Sequence, residues 1–157
     1  MLEALKTFFS ELAGGSKQER FEETDYRLAA AALLVHAASI DGEASEAARD
    51  KLKALLRERF DLTEAKTDEL VAQATEVDRE AVDLYQFTHL LDRALDAEGR
   101  RRMIRMMWEL AVVDGRVDEF EDNLIWRVAD LLHVTTRERV ELRREVAGSA
   151  ALPFADD

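Results

Sequence analysis

One stretch of this chain is written twice. Residues 106–119, from Met106 to Glu119, echo residues 33–46, from Leu33 to Glu46. Each copy is an apolar helical run, then Asp-Gly, then a short polar turn, then a new helix opening with Glu. The copies lie 73 positions apart, as Asp41 to Asp114, and that offset holds from Ala32 and Arg105 through Leu55 and Val128. One residue is then dropped, so that Leu62-Thr63 falls on Val134-Thr135. A repeat at fixed offset is a strong constraint: both copies must adopt one supersecondary structure, and any site in one has a counterpart in the other.

The residues around the repeat are helical in pattern. Leu2, Leu5, Phe8, Phe9 and Leu12 recur at helical spacing, with Glu3, Lys6, Ser10 and Glu11 opposite. They predict an amphipathic first helix that packs on its own bundle, since its polar face lacks the Lys/Arg enrichment that anionic lipids select. Gly14-Gly15-Ser16 ends it and a charged linker follows to Glu23. An alanine-rich helix is expected from Thr24 or Asp25 to Ser39, stopped by Asp41-Gly42, with Ser45 capping the next helix. Asp61 to Glu64 and Asp83 to Gln86 read as capping boxes opening two more. A helix from about Glu98 to Val113 is the mate of the alanine-rich one; Asp118 with Glu121, and Thr135 with Glu138, cap the last two. No period-two alternation persists. The expected fold is all-α: a single-domain helical bundle of about seven or eight helices with an internal duplication. Its parts are an N-terminal helix and linker over 1–23, a helical domain over 24–148 with repeats at about 26–75 and 98–146, and a flexible tail over 149–157.

Charge narrows the partners. The chain carries 34 acidic and 22 basic residues, a net charge of -12, which repels phosphate backbones and attracts cations and basic protein segments. Nucleic acid is excluded as a general partner. The one basic run, Arg100-Arg101-Arg102 with Arg105, is expected to pair within this acidic chain. No cysteine is present, which excludes disulfides and thiolate metal sites and fits a reducing, cytoplasmic setting. The longest apolar stretch, Leu28 to Ile40, is broken by His36 and Ser39 and falls short of the about 20 residues a membrane span needs. No Gly-rich phosphate loop, Ser/His/Asp set or zinc spacing occurs, so the chain does not read as an enzyme. Met103, Met106, Met107 and Trp108 form a stripe that usually means core, though such stripes also bind partner helices.

The Asp-Gly loops hold the chemistry. Copy one offers Asp41, Glu43 and Glu46; copy two offers Asp114, Asp118 and Glu119. Carboxylates held close by a short loop are costly unless protons or a cation neutralise them, and oxygen donors of this kind suit hard divalent cations. The same residues also serve as ordinary helix stops and dipole-complementing helix starts. The spacing is not that of an EF-hand, and Glu43 becomes Arg116 in copy two. Spacing alone leaves open whether the loops meet.

The duplicated A-x-x-D-G-x-x-[SD]-E pattern, at Ala38 to Glu46 and Ala111 to Glu119, resembles the TerB-like family named for tellurite resistance, over about Tyr26 to Val146. The resemblance implies a helical bundle and a non-enzymatic bacterial stress-response module. It implies divalent metal (Ca, Mg, Mn or Zn) on Asp41, Glu46, Asp114 and Glu119, with Glu43 and Asp118 second. It further implies a protein partner within a membrane-associated stress complex, and so a cytoplasmic protein peripheral to the inner membrane. The alternative is a metal-free helical adaptor that docks through its first helix and the Met/Trp-rich helix.

Overall fold

The computed structural model describes residues 20–150, and the expected N-terminal helix and all of the tail beyond Ala150 lie outside them. The described residues form seven α-helices: α1 Tyr26–Ala38, α2 Glu46–Phe60, α3 Glu64–Glu80, α4 Tyr85–Ala94, α5 Ala97–Ala111, α6 Glu119–Leu131 and α7 Thr136–Ala150. A 3-10 turn at Val112–Asp114 extends α5, and the described residues contain no strand.

The repeat is visible as geometry. In each half a central helix packs on the two that follow it: α1 on α2 and α3, α5 on α6 and α7. The central helices also pack on each other, and α4 joins the halves, lying against α1 and α6. Alanine makes α1 thin enough for this position. Every residue from Leu28 to Leu34 is buried, four of them Ala, so neighbours approach on all sides. Leu28, Leu33 and Leu34 each contribute about 2 kcal/mol by burial. In α5, Met103, Met106, Met107 and Trp108 are buried, which makes that stripe core and removes it as a docking surface.

The turns repeat bond for bond. Gly42 N–H donates to Ser39 O at 3.2 Å, and Gly115 N–H to Val112 O at 3.1 Å. Both glycines hold positive φ, +138° and +98°, which side-chain-bearing residues rarely adopt. Ser45 caps α2 by accepting from Ala48 N at 3.0 Å, and Asp118 caps α6 by accepting from Glu121 N at 2.9 Å. After the dropped residue the match resumes. Asp61 and His133 both turn left-handed, with φ of 52° and 63°, and Leu62 N–H to Arg57 O matches Val134 N–H to Ala129 O.

Two expected caps change. Asp61 does not open α3; it closes α2, and Thr63 is the cap, accepting from Lys66 N at 3.1 Å. Asp tolerates the left-handed region well enough to terminate a helix, so its carboxylate is not needed at the next one. Asp83 lies one position outside the α4 cap and accepts from Tyr85 N at 2.8 Å, while Leu84 holds the cap position. The arginine run pairs internally, as expected: Arg100 with Asp92, Arg101 with Glu138, Arg102 with Glu98 and Arg105 with Glu145. Among the described residues no helix is long and apolar enough to cross a membrane.

Candidate functional site

The two Asp-Gly loops meet, and they do so crosswise. The Ser45 hydroxyl, at the start of α2, donates to Asp114 Oδ1 at 3.0 Å, at the end of α5. The carboxyl of Asp118, at the start of α6, lies in hydrogen-bonding reach of Asp41, at the end of α1. Ser45 and Asp118 are repeat mates, as are Asp41 and Asp114, so the two crossings join equivalent positions of the repeat. In each, the Asp of one Asp-Gly turn touches the helix cap of the other half.

Chemically the two crossings are unlike. A hydroxyl donates to a carboxylate without difficulty. Two carboxylates in hydrogen-bonding reach of each other are costly without a proton or a cation between them. Asp41 is accordingly pushed above the ordinary carboxylate range, chiefly by its hydrogen bond to Asp118, then by burial, with the charges of Asp118 and Asp114 adding.

Beneath this pair sits Glu121. Its carboxylate accepts from Asp118 N at 3.2 Å, completing the α6 capping box. Half-buried, it is pushed up to about 7, mainly by burial; its bond from the Asp118 backbone opposes the rise, and the charges of Asp118, Asp41 and Asp114 add to it. The position explains the burial. Glu121 stands where the first repeat has Ala48, a buried residue on the inner face of α2.

Of the residues expected from sequence, Asp41, Asp114 and Asp118 are brought together. Glu43, Glu46 and Glu119 are exposed, and among the described residues no hydrogen bond or ion pair joins them to this cluster. Glu121 was expected only as a cap. The signal for more was its alignment with Ala48, whose spacing to Leu52 and Leu56 marks the inner face. The donors are carboxylate and hydroxyl oxygens, which suit Ca²⁺, Mg²⁺ or Mn²⁺ better than Zn²⁺. Among the described residues no three His, Asp or Glu side chains stand as a ready-made metal-binding group; the contacts are pairwise across the crossing.

The sequence model of the family described as Tellurite resistance protein TerB matches residues 27–144, which include both repeats and both loops. No curated protein and no solved structure matches the chain.

Proposed function

This chain belongs to the tellurite resistance protein TerB family, and from that premise we propose that it is a non-enzymatic stress-response module whose crossed acidic loops take up a divalent cation in exchange for protons. Asp41 and Asp118 are the ligand pair, and Asp114 and Glu121 add acidic groups around it. A bound cation supplies the positive charge that the Asp41–Asp118 pair otherwise draws from a proton. Ser45 orients Asp114 by its hydrogen bond, and the caps of α2 and α6 hold Ser45 and Asp118 in place. The module works by binding a protein partner rather than by turnover, in the cytoplasm and in contact with a complex at the inner membrane. That reading is supported by the acidic surface and by a sequence without nucleophile or cofactor motif.

The observation that carries the cation reading is the meeting of two acidic loops that the sequence separates widely, fastened by the Ser45 hydroxyl on Asp114, with the Asp41 carboxyl pushed up chiefly by its hydrogen bond with Asp118. The test is thermal unfolding of chelator-treated protein with Ca²⁺, Mg²⁺, Mn²⁺ or Zn²⁺ added back. A ligand that binds only the folded state raises the midpoint by mass action. We expect a rise with at least one hard cation, and its loss in Asp41→Asn/Asp118→Asn, whose cation-free midpoint is higher because the repulsion is gone. A wild-type midpoint indifferent to every cation rejects the reading and leaves a metal-free adaptor.

A further inference from the structure

We propose that residues 2–12 form an amphipathic helix whose Leu/Phe face docks, within the same chain, into the groove between the start of α1, the end of α3 and α4. The groove encloses about 370 Å³, room for a pair of large side chains. Leu28, Ala29 and Phe87 are its buried apolar lining, and Val77 and Leu90 beside them are half-buried. Such a cleft gains by taking up apolar surface that water would otherwise cover. The docking goes beyond the cation reading and does not involve the acidic loops.

Chain connectivity selects the occupant. Among the 19 residues that precede Arg20, Leu2, Leu5, Phe8, Phe9 and Leu12 share one face at helical spacing. A helix this short is marginal in water by itself, so the stripe needs a surface to fold against. The structure fixes where the segment enters. Phe21 N–H donates to Gln73 Oε1 at 3.0 Å, and Gln73 Nε2 donates to Phe21 O at 2.6 Å. This buried side-chain amide grips the backbone of Phe21 through both its polar groups. Gln73 lies four positions before Val77 on α3, so the grip sits one helical turn from the groove. Glu23, two residues past the grip, already lines it. Residues 13–20 separate Leu12 from the grip and span at most about 30 Å. The groove is within that reach, and the tether presents the stripe at an effective concentration on the order of millimolar, an advantage no free partner has. Glu23 and Glu80 in the lining favour the orientation that turns Lys6, at one edge of the stripe, toward them rather than Glu11, at the other.

The test is paramagnetic broadening in the full chain. The sequence has no cysteine, so Ser10→Cys, on the polar side of the stripe, takes a nitroxide at one defined place. In chelator, the amide signals of Val77, Gln86 and Leu90 should lose most of their intensity. Those of α7, which packs on α5 and α6, should keep theirs. Phe8→Ser/Phe9→Ser in the same labelled chain should restore the lost signals while the rest of the spectrum stays that of the folded bundle. Lys6→Gln should restore them in part and Glu11→Gln should not. Absent or uniform broadening overturns the proposal, as does a pattern that survives the double serine variant. Broadening of an isotope-labelled, nitroxide-free chain by a nitroxide-labelled, isotope-free one gives the groove to a second copy and likewise overturns it. The thermal response to cations, measured on the same preparations, reports on the loops separately.

Discussion

The first Asp-Gly loop and the second share a backbone and differ in charge. Both carry a positive-φ glycine, the same turn hydrogen bond and a capped helix start, so the duplicated scaffold tolerates the same geometry twice. At three matched positions the chemistry parts. Ser45 aligns with Asp118, Ala48 with Glu121, and Glu43 with Arg116. Two of these changes load the second copy with carboxylates at positions turned inward, and they make one crossing self-sufficient and the other dependent on a proton or cation. A symmetric frame thus holds an asymmetric site. The frame comes from apolar periodicity and glycine; the site comes from two substitutions on it.

The strongest way to test whether the halves form one frame is to damage each at matched core positions. Leu34→Ala in α1 and Met107→Ala in α5, both fully buried, should each cost about 3 kcal/mol. Each should lower a single cooperative thermal transition. Two transitions, with one half spared, would show that the halves fold separately. Next comes the crossing itself. Ser45→Asp makes the first crossing like the second and should lose about 1 kcal/mol at neutral pH without added cation, an amount limited by solvent exposure. Asp118→Ser makes the second like the first and should raise the cation-free midpoint while abolishing the response to cations. An unchanged midpoint in both would mean that the crossings carry no electrostatic strain.

Acid dependence gives a third test of the same size or smaller. Glu121 binds its proton more tightly folded than unfolded, so its contribution is complete below the ordinary value of 4.5 and is lost as the pH rises to about 7. The full shift is about 3 kcal/mol, and for a half-exposed group screening leaves on the order of 1. Thermal midpoints between those pH values should fall in the wild type and stay flatter in Glu121→Ala, which restores the residue of the first copy. The smallest effect is expected at the third matched position. Arg116→Glu, on an exposed turn, should move stability by no more than about 0.5 kcal/mol in chelator.

Sequence pattern carried the helices because burial periodicity is local, and it carried the caps at Ser45, Asp118 and Thr135 because a cap satisfies donors within three residues. It failed at Asp61, where D-x-x-E competed with a left-handed helix stop. The repeat register held the answer, since Asp61 aligns with His133 and Thr63 with Thr135. The crossing of the loops was not legible. Periodicity says which face is inward but not which loop lies across from which, and that depends on how α1 packs on α5. Glu46 and Glu119 share one place in the motif, and as first residues of their helices both are exposed. Glu121 was hidden behind its local role as a cap partner, because burial there comes from tertiary packing.

The crosswise contacts also fix what kind of object each half is. Each half closes its own turn, and each also lends the Asp of that turn to the other half and meets the other's cap in return. A fragment ending in α4 would carry both a plug and a socket and have nothing to fit them to except its missing mate. Two full chains that traded halves would form the same pair of crossings twice over, with α4 as the strap between them. Reciprocity of this kind makes the loops a keyed joint, one that recognises the complementary half whichever chain supplies it.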